Sequence, residues 1–316
     1  MTQVVPDTKP APESVRSWLP AFATVALIWG LSFMFIKVAV VQVPPVYLAL
    51  GRIGLGALTL VIMLGIRRQP LPRGRRLWLH LAIFAVFGST VPFVLFGYAE
   101  QRVSSVLAGI WNGAVPLTTL LVTLLILAVR PTRDAGPGRQ QIAGLLVGFL
   151  GVLVVLGLWR GVGHSSVIGQ LQLLLAVSCY GVGMNYSRWI MTRWSISALQ
   201  LSAGQTLMST LQLVIVAPII AGAPPAPTSL TWKVLGAVAA LGILGTGIAF
   251  ALNFHVIRTA GVTTGSMVTY LPPVVAAVAG VLVLNEHLSW NQPVGGLIVL
   301  AGVALAQGVF RWRSAG

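Results

Sequence analysis

The stretch VSSVLAGIWNGAVPLTTLLVTLLILAV, residues 103–129, decides what kind of protein this is. It runs for 27 residues without a charged side chain. A helix crossing a bilayer needs about 20 mostly apolar residues, so the stretch reads as a transmembrane span. Arg102 stands at its entrance, and Gly109 and Pro116 follow at intervals of seven. The same trio recurs 156 residues later as Arg258, Gly265 and Pro272, opening another apolar run.

Working outward, comparable runs fall near 19–42, 45–66, 77–99, 103–129, 140–159, 168–187, 195–222, 232–256, 260–284 and 293–310. The whole chain agrees with them. Of 316 residues, 56% are hydrophobic and only 8% are charged, with a mean hydropathy of +0.90. Soluble domains are about a quarter charged. The expected fold class is all-α integral membrane, with ten transmembrane helices and the lipid bilayer as solvent. Residues 1–18 read as a disordered tail and 311–316 as a second short tail.

The basic residues orient the spans. If the N-terminus is cytoplasmic and the spans alternate, 15 of the 20 Lys and Arg fall in inner segments. Arg102, Arg160 and Lys233 fall outside, and Lys37 and Arg52 lie within spans. This follows the positive-inside rule and predicts both termini in the cytoplasm of a bacterial cell, with the chain in the inner membrane. It also accounts for the net charge of +15 without nucleic acid, for which no basic stacking surface is present.

Other matches join the trio. Gly144, Gly151 and Val152 recur as Gly295, Gly302 and Val303, 151 residues on. Trp29-Gly30 with Lys37 recurs as Tyr180-Gly181 with Arg188 at the same offset, and Gly51-Arg52 as Gly204-Gln205 at 153. The halves, residues 19–160 and 168–310, therefore hold five spans each. Five is odd, so the second half enters from the opposite side, giving an inverted repeat with a solute site expected near the midplane between the halves.

With that layout in hand, the motifs LIWGLSF (Leu27–Phe33) with Lys37, Pro44-Pro45 and Gly51-Arg52 resemble the opening of an EamA domain of the drug/metabolite transporter superfamily. Gly97-Tyr98-Ala99, Ala114-Val115-Pro116 and Gly144 to Gly151 resemble its close. The second half resembles another copy, with Leu271-Pro272-Pro273, Asn285-Glu286-His287-Leu288 and Gly295-Gly296 to Gly302. The resemblance implies an exporter or facilitator of small organic metabolites such as amino acids. The family pattern has Glu where the fourth span of each half ends; Glu286 fits, but Arg130 stands at the equivalent place in the first half.

Neutral side chains within the spans are the candidate solute contacts: Trp29, Tyr98, Trp111, Asn112, Tyr180, Asn185, Asn253 and Tyr270. Aromatic rings offer apolar area with a polar handle, and asparagine offers both donors and acceptors. The same residue types also pack between helices. Lys37, Arg52, Arg188 and Glu286 are candidates for gating or charge compensation, against a reading in which the basic ones snorkel to an interface. Pro116 and Pro272 are candidate kinks opening a central cavity. No acidic residue sits at mid-depth, which favours facilitated diffusion or exchange over obligatory proton coupling. Gly144 and Gly148 form a G-x-x-x-G that permits close helix contact.

The sequence offers no sign of a cofactor or metal site. Cys179 is the single cysteine, and no H-E-x-x-H, paired mid-depth acids or phosphate loop is present. A membrane-embedded enzyme is therefore a remote alternative. Within transport, a carrier of nucleotide sugars or other anionic metabolites is the nearer one, but such cargo would want several cations in the cavity.

Overall fold

The computed structural model of the chain describes residues 15–129, 138–157, 166–253, 255–257, 259 and 268–307. Among these residues are ten helical spans. They are α1 (Val15–Ala39), α2 (Pro45–Ile66), α3 (Arg75–Glu100), α4 (Ser105–Val129) and α5 (Arg139–Leu156) in the first half. In the second half they are α6 (Val167–Arg193), α7 (Ala198–Ala221), α8 (Trp232–Ile257), α9 (Val268–Leu284) and α10 (Asn291–Ala306). The first eight are each long and apolar enough to cross a bilayer.

Local signals set the helix ends. Ser104, Ser166 and Ser197 cap α4, α6 and α7 by accepting from the amides of Leu107, Gly169 and Gln200. Pro45 begins α2, where a missing N–H costs nothing. Gly157 ends α5 with φ 61°, a left-handed stop that suits glycine. The sixth span extends to Arg193, beyond the apolar run that marks it in the sequence, because Tyr186, Trp189 and the polar residues around them continue the helix.

The inverted repeat is visible in the packing. Exchanging α1–α5 with α6–α10 maps each major contact onto another. The α1–α9 contact maps onto α6–α4, α1–α8 onto α6–α3, and α2–α8 onto α7–α3, while α2–α7, α4–α9 and α5–α10 map onto themselves. Arg130, Arg258 and Gly265 lie outside the described residues, as do 1–14 and 308–316.

Two departures from regular helix recur in both halves. The third and eighth spans each widen into a π-helical segment, Val86–Thr90 in α3 and Ala240–Ile248 in α8. The fourth span breaks at Gly113-Ala114, after the segment Ser105–Asn112 and before Val115–Val129. The ninth opens with a 3₁₀ turn, Val268–Tyr270, before Pro272–Leu284. Pro116 and Pro272 both sit in the first turn of the segment that follows.

Glycines let the self-paired helices touch backbone to backbone. A Cβ on Gly151 of α5 would lie 2.6 Å from the Val299 amide of α10, and one on Gly295 would lie 2.6 Å from the Val155 amide of α5. In lipid this close packing replaces the hydrophobic effect as the source of helix attraction. Gly151→Leu should therefore wedge α5 from α10 and destabilise the protein by about 1–3 kcal/mol. Gly65→Ala, with open space around it, should not. Thermal unfolding in detergent measures both; an unshifted midpoint for Gly151→Leu would contradict this interface.

Candidate functional site between the repeats

The two π segments face equivalent helices of the opposite half. A π turn holds one extra residue and bulges the helix, which brings small polar groups of α3 and α8 against α7 and α2. On the first side, Gln205 of α7 donates through Nε2 to Ser89 Oγ at 3.1 Å. Thr90 Oγ1 donates to Gln212 Oε1 at 2.6 Å and lies 2.6 Å from Ser209 Oγ. Gln212 Nε2 in turn donates to the Ala82 carbonyl at 2.8 Å. This side is a filled hydrogen-bond network.

The equivalent place on the other side holds Arg52 of α2. Its Nε donates to Thr246 Oγ1 at 3.4 Å, the one hydrogen bond it makes among the described residues. Its guanidinium carbon lies 4.1 Å above the Phe93 ring centroid, a cation–π contact. An arginine has five N–H donors, so most of this fork is uncommitted. Tyr180 lies within electrostatic reach of it, with its ring 6.3 Å from Phe93 and 6.1 Å from Phe96. Trp29 donates its indole N–H to the Gly245 carbonyl in the α8 π segment at 3.1 Å, and its ring meets Phe250 edge-on at 6.1 Å.

The Trp29-Gly30 and Tyr180-Gly181 repeat has a packing cause. Gly30 lets α1 lie against Val275 and the Pro272 carbonyl of α9, and a Cβ on Gly181 would stand 2.7 Å from the Thr118 backbone of α4. Each glycine thus brings the aromatic residue before it to the seam between halves.

The remaining candidates are scattered. Trp111 is 2% exposed in an apolar cluster with Ile110 and Val155, against which Val152 packs. Asn185 clamps α6 to α4: its amide nitrogen donates to the Thr119 and Gly181 carbonyls, and its oxygen accepts from Thr123. Tyr98 is half-buried against the α1–α2 cluster. Asn112 is half-buried at the α4 break. Asn253 Oδ1 and the Tyr270 hydroxyl are buried and make no hydrogen bond among the described residues. Arg188 is exposed on α6.

A second polar cluster lies at the end of the bundle opposite the arginine-rich segment 67–76. Lys37, in the last turn of α1, donates to the carbonyls of Glu100 and Val103 at 2.6 and 2.7 Å. It therefore binds the carbonyl end of α3, where a cation complements the helix dipole. Glu286, in the turn after α9, reaches the amide end of α4. Its oxygens accept from the Ser105 amide at 2.9 Å, the Ser105 hydroxyl at 2.9 Å and the Val106 amide at 3.2 Å. A carboxylate at a helix N-terminus answers both the unpaired amides and the dipole. This clamp joins the second half to the first. Glu100 itself is fully buried, a residue that span-by-span reading passes over because it stands at a helix end. Its scarcity is the one signal for it: it is among only five acidic residues.

Comparison with known proteins places the fold. The model of the EamA-like transporter family matches residues 16–157 and again 167–307. The Bacillus subtilis "Uncharacterized transporter YoaV" is 24% identical over 92% of this chain and 96% of its own. The Escherichia coli "Probable amino-acid metabolite efflux pump" is 22% identical over 92% of this chain and 95% of its own. A solved crystal structure, 22% identical, covers 93% of this chain and 97% of that one with a TM-score of 0.63, which supports the fold alone. Twice matched by one family model across two inverted five-helix halves, the chain belongs to the EamA-like transporter family and is a membrane transporter rather than an enzyme.

Proposed function

We propose that this transporter carries small organic metabolites of the amino-acid class, by alternating access of its two halves, with Arg52 as the anchor for the solute's carboxylate. The observation that carries the reading is the guanidinium of Arg52 between the halves, held over Phe93 with a single weak hydrogen bond among the described residues. A planar fork of donors suits a carboxylate. The rings of Phe93, Tyr180 and Trp29 supply apolar area for a side chain. Relatives of similar length are named amino-acid metabolite efflux pumps. A nucleotide sugar fits less well, since Lys37 is committed to two carbonyls and Arg188 is exposed, leaving Arg52 as the cation among these three that faces the seam.

Counterflow of amino acids in proteoliposomes tests this directly. Arg52→Gln should lower exchange at least about tenfold, the worth of one charged hydrogen bond, and Arg52→Lys should recover part of it. Trp29→Ala and Tyr180→Ala should also lower it; wild-type rates in both, at equal expression, would remove them from the solute path.

Alternating access requires the Glu286 clamp to open. Glu286→Ala leaves the Ser105 and Val106 amides without an acceptor, at a cost of about 1–3 kcal/mol. Hydrogen exchange at those two amides should rise by roughly 5- to 150-fold relative to wild type. Unchanged protection would mean that the clamp does not hold this end.

The arginine-rich end faces the cytoplasm in this reading. A fluorescent reporter fused at the C-terminus should be active and a periplasmic phosphatase fused there inactive; the reverse would invert the orientation.

A further inference from the structure

The Glu100 side chain is fully buried, and neither of its carboxylate oxygens makes a hydrogen bond among the described residues. Its neighbours make this unusual. Lys37, on α1, hydrogen-bonds the Glu100 backbone carbonyl rather than the carboxylate. Arg52, on α2, is turned to Phe93 and Thr246. Glu286, a like charge from the turn after α9, is engaged with the α4 amides. On α6 the titratable side chain against this part of α3 is Tyr180, whose ring lies 6.1 Å from that of Phe96, one turn before Glu100. Arg102, in the turn after α3, is exposed and donates to Gln172. Lys37, Arg52 and Glu286 all act electrostatically on Glu100, but none is bonded to its carboxylate.

A buried carboxylate whose oxygens accept no hydrogen bond is costly to keep as an anion, and taking up a proton removes that cost. A metal ion does not answer the requirement. It needs several oxygen ligands, whereas both Glu286 oxygens are already used and the Lys37 ammonium stands at the adjacent carbonyl. A proton needs one oxygen.

We propose that Glu100 is a proton-binding site, occupied while Glu286 joins the two halves at this end and emptied when they part. The proposal rests on the alternating-access reading. Lys37 and Glu100 belong to the same half and move together, whereas Glu286 belongs to the other. Separation removes Glu286 and admits water. The Glu100 O–H bond breaks, the proton passes to that water, and the carboxylate left behind faces Lys37. Because the joined state holds the extra proton, acid favours it and alkali favours opening.

The test needs no solute, so it fails or succeeds independently of the amino-acid assignment. In a Cys179→Ser background, spin labels at Gln101 and Trp290 report the distance between the halves at this end in nanodiscs. The wild-type open-to-joined ratio should rise with pH, by up to about tenfold per unit. Glu100→Gln, permanently neutral, should stay joined throughout. Difference infrared spectroscopy should show the carbonyl stretch of a protonated carboxylic acid at neutral pH in wild type and not in Glu100→Gln. A wild type that ignores pH, a Glu100→Gln that tracks it, or an absent band would each overturn the proposal. Should Glu100→Gln fail to fold, Glu100→Asp keeps a carboxyl and should keep the pH response; its loss there would count equally against the site.

Discussion

The hydrocarbon core of a bilayer offers the backbone no hydrogen-bond partner, so irregular chain within it must be answered by protein. The α4 break obeys this: the Gly113 amide finds the Gly109 and Ile110 carbonyls at 3.3 and 3.0 Å, and the Ala114 amide finds Trp111 at 2.9 Å. Neighbouring helices supply the rest. Trp29 takes the Gly245 carbonyl of α8, and Thr118 of α4 takes the Val177 carbonyl of α6 at 2.7 Å. These side chains tie α1 to α8 and α4 to α6, two contacts on which the arrangement of the halves depends. Irregular backbone is tolerated because it is enclosed by the repeat, and it places polar atoms where a water-soluble solute could be handled.

The halves share a fold but not a chemistry. At the α7–α3 crossing, Gln205 donates to Ser89, beside the Thr90, Ser209 and Gln212 hydrogen bonds. At the α2–α8 crossing the same structural position carries Arg52, which makes one hydrogen bond among the described residues. Glutamine is neutral and both donates and accepts, so it can be satisfied locally. A guanidinium only donates, and among the described residues it lies over one ring face and has one hydroxyl as its hydrogen-bond partner. The duplication thus provides two similar crossings, and a single difference in residue type leaves a cation at one and a neutral amide at the other.

Much of this was legible in the sequence, for identifiable reasons. Hydropathy alone marks ten spans, since lipid selects long uncharged runs such as 103–129. Fixed offsets between Gly51-Arg52 and Gly204-Gln205 reveal the repeat, because glycines at helix crossings have no substitute. Pattern does not reveal direction within a helix. Trp111 and Trp29 look alike as intramembrane indoles, yet one is packed in an apolar cluster and the other bonds across the seam. The π segments leave no hydropathy signature. Glu100 escapes because an acid at a helix end ordinarily reaches water, and only tertiary packing closes over it.

The turn between α3 and α4 shows how charge is used when water is scarce. Its carbonyl side is held by Lys37 and its amide side by Glu286, each matching the sign of the helix end that it meets. One holder, Lys37, comes from the same half as the turn and the other, Glu286, from the opposite half. The inverted repeat would set residue 130 in the role of Glu286 at the other end. Arginine stands there in the sequence, and arginine has no acceptor for an amide. At the position equivalent to Glu286, then, the first half of the sequence carries a side chain that cannot accept from an amide, so the two copies differ there in charge and in hydrogen-bonding sense.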